Sequence, residues 1–133
     1  MTPTARSLKL LRNTGHIADV VERWIAQAQR RRDLFGFADL VAVHRAVRGV
    51  MLIQATTRAN LGARVKKAKA LATLAVWLRN GGTFQVWGWY ADAAGQWQVK
   101  RVAIHGAELR TVVLEGPRRR RRKPEPDLFS VEP

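Results

Sequence analysis

Residues 30–43, RRRDLFGFADLVAV, run from three arginines through an acid, a glycine-broken aromatic turn and a second acid into an apolar stretch. A second apolar run, VMLIQAT at 50–56, follows across a basic turn closed by Gly49. Two short apolar runs joined in this way predict adjacent, largely buried strands forming a hairpin. Asp39 then stands at the mouth of the first strand. Only 10 Asp and Glu face 24 Lys and Arg in this chain, so an acid at that place needs a reason. Asp often closes the turn before a strand through its own side chain. An acid at the end of a buried strand is also rigidly aimed, as a metal ligand must be.

Outward from this stretch, the elements follow from periodicity and punctuation. Residues 4–13 read as a short helix with Leu8 and Leu11 on one side and Gly15 as its terminator. HIADVVERWI fits two patterns, because Ile17, Val20, Val21, Trp24, Ile25 and Ala28 keep helical spacing while β-branched residues dominate. NLGARVKKAKALATLAVWLRN, residues 60–80, predicts one long helix stopped by Gly81 and Gly82. TFQVWGWY and QWQVKRVAI alternate as a second hairpin across ADAAG. From Gly116 onward Pro, Arg and Glu take over and nothing is expected to pack, which sets a domain at 1–115 and a disordered Arg-rich tail at 116–133.

Composition narrows the classes. A chain of 133 residues suits one domain with a modest core. There is no cysteine, and His16, His44 and His105 lack the close spacing of a zinc site, so any metal has to be held by oxygen. The stretch MTPTARSLKLLRN scatters basic residues without a continuous apolar segment, and no run approaches the roughly 20 apolar residues that span a bilayer. A cytoplasmic protein away from membranes is expected. Six of the 24 basic residues and three of the ten acids lie beyond Gly116, so residues 1–117 keep 18 basic against 7 acidic, a surplus of 11. The body of the chain is therefore basic in its own right, which points to a polyanion as partner.

VERW…RRDLFGFADLVAV…LIQATTRAN…ARVKK resembles, in order and residue type, the PD-(D/E)XK or restriction-endonuclease-like nucleases, and particularly the small Holliday-junction-resolvase-like proteins of phages and mobile elements. The resemblance runs over residues 7–104. It implies an α/β fold of one helix, three strands, a helix and further strand or strands, with a central mixed sheet flanked by helices. ADVVERW becomes the first strand on that basis. It also implies a Mg²⁺- or Mn²⁺-dependent endonuclease acting on duplex or branched DNA, with Asp39 as metal ligand. Dimerisation is expected because symmetric junctions suit symmetric enzymes.

The family's acid and lysine are replaced here by Gln54 and Thr56, which period-two geometry still points to one face of the strand. Gln54 offers an oxygen without the charge, so Glu22 is expected to complete a metal set of Asp39, Gln54 and Glu22, although a surface ion pair competes for Glu22. Asp33 could also contribute to the metal set, but is expected to cap the DLFG turn first. Thr56 can bond a water or phosphate but cannot replace an ammonium. Asn60, Arg64 and Lys67 form one stripe of the helix beside Leu61, Val65, Ala68 and Leu71, which makes Lys67, then Arg64, the substitute cation, against the reading of a solvated helix edge. Arg30, Arg31 and Arg32, in the loop leading to Asp39, with Arg58, Asn60 and Lys66 and with Arg118, Arg119 and Arg120 of the tail, are expected to grip phosphates. Trp87, Trp89, Tyr90 and Trp97 are assigned to core or dimer packing before base stacking. EPDLF in the tail faintly resembles the peptide that docks on the replication sliding clamp. A non-catalytic nucleic-acid-binding module on the same fold is the alternative function, and an RNA- or ribosome-binding protein a more distant one.

Overall fold

The structure, a computed structural model, describes residues 1–106, 109 and 111–114. The tail cations Arg118, Arg119 and Arg120, the EPDLF segment and the expected domain boundary lie outside the described residues. Helix α1 (Pro3–Asn13) starts where Thr2 Oγ1 accepts the Ala5 N–H at 3.1 Å and Pro3 presets the first turn. Gly15, at φ 89°, ends it as expected. The chain then enters β1 (His16–Val20), leaves the sheet at Val21 and Glu22, and forms a separate ribbon of β2 (Arg23–Ile25) and β3 (Arg30–Arg32). Strand won over helix in HIADVVERWI, but the run is two strands rather than one. Arg30, Arg31 and Arg32, expected in a loop, are the paired strand β3.

β4 (Leu40–His44) and β5 (Val47–Thr57) form the expected hairpin, with its turn at Arg45–Ala46 instead of Gly49. Gly49, at φ 113°, lies inside β5, near a register shift between Ala42 and His44. The predicted single helix over 60–80 is two helices, α2 (Arg58–Lys69) and α3 (Ala72–Arg79). Leu71 is extended at φ −89°, ψ 128°, and its side chain packs beside Gly36 and the core. No Gly or Pro marks this break; burying Leu71 and Leu74 around the 33–39 turn decides it. β6 (Thr83–Ala91) and β7 (Trp97–Ile104) make the second hairpin, and β8 (Thr111–Leu114), which periodicity did not announce, pairs with β7.

The result is an α/β fold around a mixed six-stranded sheet in the order β1-β4-β5-β6-β7-β8, in which only β5 and β6 run parallel. α1 covers one face, its Leu11 packed with Leu40, Met51, Ile53, Trp87 and Trp89. The helices α2 and α3 cover the other, over Phe37, Leu52, Phe84, Val86 and Ile104. Among the described residues no helix is long and apolar enough to cross a membrane. The β1 edge is blunted: Arg12 donates to the Ala18 carbonyl from Nε at 3.2 Å and Nη2 at 2.9 Å, which occupies an acceptor that another strand would need. Trp89 donates to Ser7 Oγ at 2.9 Å, tying α1 to the sheet centre. Trp87 and Trp89 are thus core residues as expected, whereas Trp97 is half-exposed beneath the Arg6 guanidinium, 3.7 Å from its ring centre.

The first turn of α2 lies directly on β6. A Cβ at Gly88 would stand 3.0 Å from the Arg58 Cα and 3.2 Å from the Leu61 Cβ, and the backbone atom cannot rotate away. Gly88→Val is therefore expected to destabilise the fold by about 1–3 kcal/mol through overpacking. Gly62→Ala, in the exposed interior of α2 with nothing within 4 Å of the new Cβ, should stabilise it by about 0.5–1 kcal/mol. Urea unfolding of both variants measures the pair, and equal midpoints would contradict this packing of α2 on the sheet.

Candidate functional site

The site is built on one turn. Leu34 and Ala38 exchange both backbone bonds, Leu34 N–H to Ala38 O at 2.8 Å and Ala38 N–H to Leu34 O at 3.0 Å, while Gly36 N–H reaches Asp33 O at 3.2 Å. Phe35 and Gly36 complete the reversal at φ 56° and 86°. For a bulky residue such as Phe35 the left-handed region costs about 1–2 kcal/mol. Asp33 and Asp39 are the two feet of this turn, so closing it brings two acids together that are six residues apart in sequence. Glu22 arrives from the point where the chain leaves the sheet after β1, next to the Val21 N–H that bonds Asp39 O at 2.8 Å. One carboxylate oxygen from each of Glu22, Asp33 and Asp39 lies within 4.8 Å of the others.

β5 supplies the floor. One step beyond the Leu40–Ile53 pair, Asp39 faces Gln54, and the Asp39 N–H bonds Ile53 O at 2.9 Å. Asp39 Oδ2 accepts the Ala55 N–H at 2.9 Å. Gln54 Nε2 donates to Asp33 Oδ2 at 2.8 Å. Met51, Ile53 and Ala55 belong to the α1 face, so the alternation of the strand puts Leu52, Gln54 and Thr56 on the α2 face, with Asp39 and Val41 beside them. Gln54 and Thr56 are both buried. Asp39, Gln54 and Thr56 therefore do share one side of the sheet, the side α2 covers.

α2 carries the expected apolar stripe of Leu61, Val65 and Ala68 toward the core. Lys67, Lys66 and Asn60 on it are exposed and Arg64 is half-buried. Arg58 is exposed too, stacked 3.9 Å over the Tyr90 ring. Among the described residues the cation that pairs with the acidic cluster is Arg31, whose Nη1 lies 3.8 Å from Glu22 Oε1; Arg64 and Lys67 form no ion pair with it. Asp33 does not act as the side-chain cap of the DLFG turn. Its backbone closes the turn while its carboxylate joins Gln54 and the cluster. Two acids flanking a tight aromatic turn are the signal in the sequence for that role.

Electrostatics make the cluster unstable as a set of bare anions. Burial raises the Asp39 carboxyl from the ordinary 3.8 of an aspartate to about 8, against the lowering effect of the Ala55 N–H and with help from the hydrogen bond to Asp33 and the charges of Asp33 and Glu22. Two carboxylates about 5 Å apart at an effective dielectric near 20 repel by roughly 3 kcal/mol, enough to keep a proton on one of them. The donor set fits a hard divalent cation: all oxygen, anionic, and convergent. A cation there would take the place of the shared proton. Comparison of the chain with protein-family models, with curated proteins and with solved structures returned no match.

The Asp39 shift fixes the sign of a pH dependence in metal-free protein. A carboxyl whose folded-state value lies above its unfolded one keeps its proton on folding, so its contribution is most favourable below about 4 and is lost as pH rises toward about 8. Asp39→Asn keeps an acceptor for the Ala55 N–H and has no charge to bury. The variant should melt roughly 5 to 10 °C above the wild type at pH 8 in EDTA, with the difference closing toward pH 4. A melting difference independent of pH would show that Asp39 is not buried against its neighbours in this way.

Proposed function

We propose that this chain is a Mg²⁺- or Mn²⁺-dependent DNA endonuclease of the PD-(D/E)XK kind, with Glu22, Asp33 and Asp39 holding the metal. The observation that carries the reading is the convergence of three carboxylates within 4.8 Å, with Asp39 at the mouth of the buried strand β4, in a chain with a net charge of +14. Carboxylates packed together against their mutual repulsion in a protein otherwise short of acids suit a cation site, and the cationic surplus suits a polyanionic substrate. Asp33 takes the ligand place for which the sequence offered Gln54, and Gln54 holds the Asp33 carboxylate in position. When bound, the ion supplies Lewis-acid polarisation of a phosphoryl oxygen and a lowered pKa for water.

The other residues do the binding and charge work. Asp39 must give up its proton to the solvent before it can serve as a ligand, so cation affinity rises with pH. The exposed arginines of β3 lead straight into Asp33, and Arg31 already reaches the rim of the cluster. In this reading they hold phosphate oxygens beside it, with Arg58, Asn60 and Lys66 extending the contact along α2. The charge that the family's lysine would supply falls to Arg31, Arg64 or Lys67, since Thr56 is neutral. A homodimer would match a two-fold branched substrate.

The test is hydrolysis. Purified protein is incubated with linear and four-way DNA and Mg²⁺ or Mn²⁺, beside Asp33→Asn, Asp39→Asn and Glu22→Gln. Wild type should cleave, and each variant should lose at least about 100-fold in rate, the scale of several kcal/mol of charge stabilisation. Mn²⁺ should also raise the wild-type melting temperature more at pH 8 than at pH 6, and Asp39→Asn should abolish that difference. Binding of DNA without cleavage under any of these conditions would replace the nuclease with a non-catalytic binding module. Preference for structured RNA over duplex DNA would replace it with an RNA-binding protein.

A further inference from the structure

The ribbon of β2 and β3 stands apart from the rest of the fold. Among the described residues, neither of its strands packs on a helix or on the six-stranded sheet, and every residue of β3 is exposed. A two-stranded ribbon without such support is marginal in water. This one also works against itself: residues 23–32 contain four arginines and no acid, and Arg23 stands directly opposite Arg32. Like charges placed opposite one another weaken a strand pair. A projecting element that keeps such a pair suits an anionic partner, as the acidic cluster suits a cation.

Register divides these arginines between two faces. The pairs are Arg23 with Arg32, Trp24 with Arg31 and Ile25 with Arg30; opposed residues share a face, and neighbours along a strand alternate. Trp24 and Arg31 are therefore on one face, and Arg23, Arg30 and Arg32 on the other. The contact of Arg31 Nη1 with Glu22 Oε1 at 3.8 Å makes the Trp24 face the one continuous with the acidic cluster. Three of the four cations thus point away from any phosphate held at the cluster, so their partner lies on the far side of the ribbon. Thickness decides what it can be. A sheet layer with side chains on both faces is about 10 Å deep. That is close to the roughly 12 Å width of the B-DNA major groove and too thick for the minor groove of about 6 Å.

We propose that the β2–β3 ribbon enters the major groove of duplex DNA with one face to each strand. Arg31 and Trp24 face the strand whose phosphate is at the acidic cluster, and Arg23, Arg30 and Arg32 face the backbone of the strand across the groove. The inference rests on the DNA reading above and adds the form of nucleic acid and the division of work among the arginines. Single-stranded DNA has no second backbone for the Arg23 face. The major groove of duplex RNA is deep and too narrow for side chains to enter. B-form duplex is therefore preferred to both, and because the contacts are to phosphates the preference is for form and not for sequence.

The experiment uses the full chain in EDTA, so that binding is read without hydrolysis. Duplex DNA, single-stranded DNA and duplex RNA of one length are compared over a range of salt, and each variant is set against wild type on the same nucleic acid. Wild type should bind duplex DNA about 10-fold or more tightly than the other two. The triple variant Arg23→Gln, Arg30→Gln, Arg32→Gln should flatten the slope of log affinity against log salt by about 3 on duplex DNA and by less than about 1 on the single strand. The same three positions changed to Lys should recover the slope. Methyl green, which occupies the major groove, should displace the wild type, and the minor-groove ligand distamycin should not. An equal loss on single-stranded and duplex DNA, no recovery with Lys, tighter binding of duplex RNA, or displacement by distamycin in place of methyl green would overturn the ribbon. Cleavage separates the two claims: ribbon-dependent duplex binding by a protein that never cleaves leaves the ribbon standing and removes the nuclease, whereas metal-dependent cleavage with duplex binding indifferent to the triple substitution does the reverse.

Discussion

The bond from the Ala55 N–H to Asp39 Oδ2 holds the functional end of this molecule together. It joins the foot of a loop to the central strand, and it does so with a carboxyl group that is almost wholly out of water. Once Asp39 is held there, the 33–39 turn cannot swing, Asp33 is brought onto Gln54, and Phe35 is pushed out against α3. Backbone bonds across Leu34 and Ala38 set the shape of the turn, and this side-chain bond sets where it sits. The penalty is a buried acid among acids.

That penalty gives the cluster its character. Stable cores avoid carboxylates close to one another, because each is desolvated and each raises the cost of ionising the next. Here one proton, retained by Asp39 into the neutral range, relieves the repulsion. A group in this condition is poised to exchange its proton for a cation, which is the physical ground on which the proposed metal chemistry rests. Arg31, at 3.8 Å and exposed, is too solvated to neutralise the site permanently.

Much of the fold was legible because periodicity and burial agreed. Leu40 and Ala42 against Val41, and Met51, Ile53 and Ala55 against Leu52, alternate between two cores, and that alternation is visible in the residues themselves. α1 announced both its ends. The break at Leu71 was not visible, since Ala, Lys and Leu on either side all favour helix; it exists because two apolar residues gain more by reaching the core around Phe37 than by continuing one cylinder. β8 was hidden for a related reason, being four residues long and defined by its pairing with β7.

By itself, the sequence determined the basic surplus, the strand–strand–helix order around Asp39 and the shared face of Gln54 and Thr56, because charge counts and a period of two are local properties. Only the tertiary structure decided that Asp33 belongs with Glu22 and Asp39, that Arg31 is their cation, and that Phe35 is held against α3. These depend on closure of a strained turn and on a helix break, and both are set by what distant residues offer for packing rather than by the preferences of the residues that bend.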